Sequence, residues 1–349
     1  MIGLPTENDP RLEATYRSDR AWSGVTTSGD GRVFVSFPNA DRPGVQVAEL
    51  SASGQIVPYP DQAWNTPHPG PEAMEAFVQV NGLRIGPDGR LWIIDAGAPG
   101  VGSPAVPGGA RLIVVNLSTD TVSDIYDLGP ITKARSYLDD LRFNGNHIYL
   151  TDAGEPGLIV LDLATGELRR LLDDHPSVAD QRPMYADGQL LRTPDGSEAR
   201  VHADQLEVSP DGRQLFYQPA SGPMSRIATR WLDDPLVTPG ELADQVETWL
   251  DTPTTGGTAI DANGVIYLND ANQRRILSIT AEREVETLVA DPRLVWADAM
   301  WLDGEGDLWI PVPQLNRSAG FNGGEQAIEY PVWIYKMHVG AIPAANDHR

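Results

Sequence analysis

Short runs of Val, Ile, Leu and aromatic residues alternate along the chain with turns rich in Gly, Asp and Asn, and this spacing predicts β-hairpins throughout. One unit recurs six times. It reads WSGVTTSGDGRVFVSF from Trp22, VNGLRIGPDGRLWIIDAG from Val80, LDDLRFNGNHIYLTDAG from Leu138, ADQLEVSPDGRQLFYQ from Ala203, TGGTAIDANGVIYLNDAN from Thr255 and ADAMWLDGEGDLWIPV from Ala297. A third strand follows most hairpins, as in RLIVVNLST or RRILSIT, and often a fourth, as in TVSDIYDLG or VETLVAD. The prediction is an all-β fold: a six-bladed β-propeller of four-stranded antiparallel blades, one domain over residues 1–349. A two-sheet sandwich does not account for six matched units. PVWIYKMHV from Pro331 reads as the third strand of blade six, with LEATYRS from Leu12 as its outer strand closing the ring.

The blades are interrupted by long insertions at 38–77, 96–110 and 173–201, which read either as functional lids or as loose loops. ELADQVETWL from Glu241 reads as a short helix.

Aligning the six hairpins singles out one position per blade, at the start of each innermost strand: Ser23, Asn81, Asp139, Asp204, Gly256 and Asp298. Innermost strands line a propeller's channel, so these six are expected to ring its axis. Three aspartates converging on one axis beside an asparagine are costly unless something compensates, because like charges raise each other's pKa values. Their oxygens suit a hard divalent ion, Ca²⁺ above all, with Asn81, Asp139, Asp204 and Asp298 as ligands. The other reading is a wet channel in which water and backbone amides satisfy them. Asp139 and Asp204 are the candidate catalytic carboxylates. His202 is a third candidate, as a general base near neutrality or as a structural histidine. Trp22, Gln79, Asp140, Gln205, Trp296 and Trp301 are the candidate substrate contacts, the tryptophans walling a flat ligand or simply packing between blades. Asp95, Asp152 and Asp270 end the second strands in IIDAG, LTDAG and LNDAN, where they are expected to tie turns rather than do chemistry.

Composition narrows the function. A net charge of −23 disfavours nucleic acid and anionic membrane surfaces. It serves solubility, or draws cations to acidic loops. The absence of cysteine excludes disulfides, thiolate metal sites and thiol nucleophiles. No apolar stretch reaches signal-peptide or membrane-span length. The expectation is a soluble protein, cytoplasmic as the chain stands, or secreted or periplasmic if a signal has been removed. The partner expected is a small-molecule ligand or substrate, and nothing in the sequence fixes the oligomeric state.

Several segments resemble the yellow and major royal jelly protein family in its bacterial branch: GRVFVSFPN from Gly31, DGRLWIIDAGAPG from Asp88, SYLDDLRF from Ser136, GLIVLDLATGELRRLLDDHPSV from Gly157, ADQLEVSPDGRQLFYQP from Ala203, DPRLVWADAM from Asp291 and QLNRSAGFNGG from Gln314. Their order, with the QLNR…FNGG ending, carries the resemblance over nearly the whole chain. It implies a six-bladed propeller and either dopachrome-tautomerase-like chemistry or binding of small amines or lipids in the channel. The chain is more distantly similar to the gluconolactonase and senescence-marker-protein propellers, which hold a divalent metal on the axis with Glu, Asn and Asp. Asn81 and Asp204 match that pattern, Ser23 stands where the first-blade Glu is expected, and Gly256–Gly257 replaces the Asp-Gly usual in the royal-jelly family. The resemblances imply an enzyme, either a metal-assisted lactone hydrolase or a related isomerase, with a non-catalytic binder of a small amine or aromatic ligand as the alternative.

Overall fold

The computed structural model describes residues 3–66 and 75–348. Six four-stranded antiparallel sheets stand in sequence order around a common axis, forming a six-bladed β-propeller. The innermost strands are Val25–Thr27, Val80–Ile85, Leu138–Asn144, Ala203–Val208, Thr258–Ile260 and Trp301–Leu302. Blade two shows the pattern in full: Val80–Ile85, Leu91–Ala96, Ala110–Asn116 and Thr121–Asp127, each paired with the next. Its second strand is buried along its whole length, as a strand packed between two neighbouring blades must be, and its outermost strand alternates towards solvent.

Closure follows the expected scheme. Blade six is built from Trp301–Leu302, Asp307–Val312 and Val332–His338, and Glu13–Ser18 pairs antiparallel with the last of these. The two ends of the repeat are thus hydrogen-bonded into one sheet, and no blade is left with an open edge facing a gap in the ring.

Asp95 and Asp152 do tie turns. Asp95 accepts from the backbone N–H groups of Val78 and Gln79 at 2.9 and 3.0 Å and pairs with buried Arg111. Asp152 accepts from Tyr137 N at 2.9 Å and pairs with Arg170. Asp270 accepts from Asn272 and Gln273 and pairs with Arg275. Each fixes the connection that leads into or out of its blade.

One expectation is corrected. The stretch from Glu241 is not one helix: a short helix, Pro239–Ala243, opens on a capping box between Thr238 and Glu241, and Glu247–Leu250 is the outer strand of blade four. Trp249 explains the switch, since its ring is buried against Phe216 of the same blade and a strand delivers it there. The insertion at 173–201 is ordered over the channel mouth. It carries a small hairpin, Tyr185–Ala186 with Gln189–Leu190, and packs through Met184, Leu191 and Val201 into an apolar cluster with Trp296 and Phe321. The insertion at 38–77 lies partly outside the described residues.

Candidate active site

The ring predicted from the hairpin alignment exists. Ser23, Asn81, Asp139, Asp204, Gly256 and Asp298 all line one small cavity of about 20 Å³ on the axis. Local backbone geometry puts them there. In blades two, three and four the pairing register of the innermost strand shifts between Val80 and Leu83, between Leu138 and Leu141, and between Ala203 and Leu206. A bulge at Asn81–Gly82, Asp139–Asp140 and Asp204–Gln205 bends the strand and turns these side chains towards the channel. The bulges also free backbone carbonyls: Asn81 O accepts from Ser36 Oγ at 2.7 Å, and Asp204 O from Thr151 Oγ1 at 2.7 Å, which staples each blade to its predecessor.

Above the ring opens a cavity of about 360 Å³. Asn81, Asp139, Asp204, Gly256 and Asp298 form its floor. Tyr137, Trp296 and Phe321 supply aromatic walls, and Thr193, Arg200 and Val201 reach it from the 173–201 insertion. Trp296 and Phe321 are stacked, with ring centroids 5.7 Å apart and planes 24° from parallel. Trp296 holds a left-handed backbone, φ 56°, which is strained for a bulky residue. Gly256 makes room for it: a Cβ there would stand 2.6 Å from the indole Nε1 and 2.5 Å from Ala297 O. The side chain missing from blade five is therefore replaced in space by the edge of an indole.

The electrostatics are unusual. Burial pushes Asp139 up to about 6; a hydrogen bond with Asp204 works against the rise, and Asp140 and Asp152 add to it. Burial, then the charge of Asp139, raises Asp204 well above the ordinary carboxylate range, although Asp204 keeps partial access to the cavity. Burial likewise raises Asp298 well above that range. The buried Trp296 N–H lies near enough to Asp298 to favour its charged form, yet completes no well-formed hydrogen bond. The interaction between the two carboxyls lowers Asp139 and raises Asp204, so of the pair Asp139 is the first to ionise.

Six of the predicted contacts and ligands meet here: Asn81, Asp139, Asp204 and Asp298 in the ring, with Asp140 and Gln205 at its lower edge. Trp296 joins them in the wider cavity. Four candidates do not line either cavity. Trp22 and Trp301 are fully buried in the core between blades one and six, their indole N–H groups given to Trp333 O and Thr27 Oγ1. Gln79 turns aside to accept from Asn39 Nδ2 at 3.0 Å. His202 precedes the bulge, so counting alternate residues back from Asp204 misplaces it. Its Nδ1 accepts from Asp180 N at 3.0 Å, burial lowers its pKa, and it anchors the insertion instead of facing a ligand. Tyr137 and Phe321 escaped the sequence reading because they sit in connections, where no periodicity marks them.

The metal expectation is met in chemistry but not in arrangement. All donors are oxygens, as a hard ion requires, and a 20 Å³ cavity admits one ion or one water. Among the described residues, however, no three His, Cys, Asp or Glu side chains are grouped so as to hold a metal. One Asp204 oxygen is committed to Gln205 Nε2 at 2.6 Å, and an Asp298 oxygen to Ala299 N at 2.9 Å. Two of the candidate ligands thus each have one carboxyl oxygen engaged by a neighbouring donor.

Among the described residues no helix is long and apolar enough to cross a membrane. The fold has solved counterparts at low sequence identity. A luciferin-regenerating enzyme superposes with a TM-score of 0.56 at 11% identity, covering 99% of both chains. A gluconolactonase from Xanthomonas campestris gives 0.53 at 13%, over 97% of this chain and 98% of its own. A streptogramin B lyase gives 0.52 at 14%, over 93% and 96%. At such identities the likeness establishes the shared propeller alone. No curated protein sequence matches the chain. The profile of the major royal jelly protein family matches residues 78–337, which span blades two to six, and the chain belongs to the major royal jelly protein family.

Proposed function

We propose that the protein is an enzyme that moves a proton between two positions of a small, flat cyclic molecule bound at the mouth of the channel. One observation carries this reading: two carboxyls without a counter-charge, Asp139 and Asp204, stand together on the cavity floor, where burial pushes Asp139 up to about 6 and raises Asp204 well above the ordinary carboxylate range. A pair of acids whose pKa values are pushed apart offers a base and an acid at the same pH.

The steps balance without a co-reactant. The Asp139 carboxylate takes a proton from the substrate. The Asp204 carboxyl delivers its own proton to a second position. Asp139 is then neutral and Asp204 charged, and the proton passes back along their shared hydrogen bond to restore the starting state. Trp296, Phe321 and Tyr137 bound a slot whose aromatic walls suit a planar ring.

A second reading is a lactone hydrolase assisted by a divalent ion such as Ca²⁺. It is favoured by Gln205, whose Oε1 is buried beside the ring and has no hydrogen-bond donor among the described residues. A cation next to it would satisfy that oxygen and relieve the carboxyls.

Turnover of a dopachrome-type substrate and of a small lactone panel, with and without EDTA, separates the readings. Chelator-resistant isomerisation that is lost in Asp139→Asn supports proton transfer. Lactone turnover that EDTA abolishes and Ca²⁺ restores supports the ion. Binding of amines by calorimetry with no turnover would make the protein a binder and overturn both.

A further inference from the structure

Tyr137 stands where this chemistry would need a hydrogen-bond donor. It enters from the connection before blade three, and its backbone is pinned at both ends: its N–H donates to Asp152 Oδ1 at 2.9 Å, and its carbonyl accepts from Ala153 N at 2.9 Å. The ring is almost completely buried, and the residue lines the large cavity beside Asn81 and Asp139. Its hydroxyl donates to Asn81 Oδ1 at 3.3 Å, well beyond the usual 2.7–2.8 Å of an O–H···O bond. Such a bond is readily exchanged for a better acceptor.

We infer that the Tyr137 hydroxyl is the donor to a substrate carbonyl oxygen, and that the substrate is therefore a small cyclic carbonyl compound with an acidic C–H next to the carbonyl. The inference rests on the proton-transfer reading above and names its substrate class. As the Asp139 carboxylate removes the α-proton, the C–H electron pair forms a carbon–carbon double bond and the carbonyl π pair moves onto oxygen. The Tyr137 O–H lies against that developing charge and keeps its own proton. Where the substrate carries a second double bond conjugated with the enolate, Asp204 protonates the far end of that conjugated system, the pair on oxygen re-forms the carbonyl, and the remaining double bond comes into conjugation with it.

Two features support this assignment. A phenol is a neutral donor at working pH, and among the described residues the hydroxyl gives its proton only to the long contact with Asn81, so it is free to turn to a ligand in the cavity. The aromatic walls also demand a planar ligand, and an enol or enolate flattens a ring. A neutral donor fixed in place and aimed at an oxygen that gains charge is the kind of group that contributes most in the transition state.

The test uses 2-tetralone, an enolisable bicyclic ketone, with carbonyl-free tetralin as the control. Exchange of the α-protons in D₂O, followed by NMR, measures proton abstraction directly. In Tyr137→Phe, the exchange rate at saturation should fall by about 10²-fold while tetralin affinity and the acid limb near pH 6 stay unchanged. Infrared spectra of bound ¹³C=O-labelled 2-tetralone give a second readout, independent of turnover. The carbonyl band should lie at lower frequency in the native protein than in Tyr137→Phe. An equal exchange rate in the variant, or an identical carbonyl frequency, would overturn the inference. If the native protein and Asp139→Asn fail alike to exchange protons, the proton-transfer reading falls, and the carbonyl band still decides whether Tyr137 touches the ketone oxygen.

Discussion

Two sets of buried charges occupy the same innermost strands, and they are built oppositely. At the ring, Asp139, Asp204 and Asp298 are enclosed with no basic partner among the described residues, and all three are raised. Three residues further along blades two, three and four stand Arg84, Arg142 and Glu207, and here every charge is matched. Arg142 holds Glu207 through two hydrogen bonds of 2.8 and 2.7 Å and reaches Asp140 at 2.6 Å. Thr258 Oγ1 completes Glu207 at 2.7 Å. Arg84 clasps Asp347 with bonds of 2.9 and 2.8 Å. Burial opposes the charge on Asp347, but Arg84 outweighs it and holds the carboxyl far below the usual range. His348 adds a 2.7 Å bond to the same carboxyl and stacks on Trp301. Equal burial with unequal compensation separates structure from function. A neutralised network fixes the fold, whereas carboxyls left without counter-charge cost stability and persist where chemistry uses them.

The largest expected effect breaks the upper set. Asp139→Asn keeps the shape of the side chain and removes the base, so activity should drop by about 10²–10⁴-fold in steady-state assays. The fold should not suffer. Asp139 binds its proton more tightly when folded than when unfolded, so its ionisation costs stability as pH rises from about 4 through about 6. The variant should therefore melt higher than the native protein above pH 6, with the gain fading towards pH 4.

The lower set should respond in the reverse sense. Arg142→Met leaves buried Glu207 and half-buried Asp140 without their counter-charge, and should cost about 3–5 kcal/mol in chemical denaturation at neutral pH. Asp140 adds to the raised pKa of Asp139 and loses its counter-charge in this variant, so the acid limb of the remaining activity should move to higher pH. Asp204→Asn sharpens the contrast by a smaller amount. It removes a carboxyl whose raised pKa makes its ionisation destabilising, so this variant too should melt higher than the native protein at alkaline pH, with the gain fading as pH falls. The smallest effect belongs to the surface. Arg226→Ala breaks a pair with exposed Glu247 and should change stability by less than about 1 kcal/mol, and less still in high salt.

The fold and the floor of the site were legible in the sequence because both are periodic. Six aligned hairpins gave the blades, and one aligned column gave Ser23, Asn81, Asp139, Asp204, Gly256 and Asp298 without reference to any contact. What failed was the step from a column to its neighbours. Trp22 adjoins Ser23, but adjacent residues in an extended chain point to opposite sides, and the indole goes to the core. His202 fails for a subtler reason: the bulge at Asp204–Gln205 resets the alternation, so parity counted across it is wrong. The walls were invisible because Tyr137, Phe321 and Arg200 come from connections and insertions whose placement depends on the closed ring. The Gly256–Gly257 departure acquired meaning only with coordinates, once the indole of Trp296 was seen to need the space.

A raised carboxyl at the channel floor is measured directly by ¹³C NMR of the aspartate side-chain carboxyls. One resonance should show a midpoint near pH 6, absent from Asp139→Asn and displaced in Asp204→Asn because the two carboxyls interact. If every aspartate resonance of the folded protein completes its titration below about pH 5, the raised carboxyl does not exist and the assignment of base and acid is wrong.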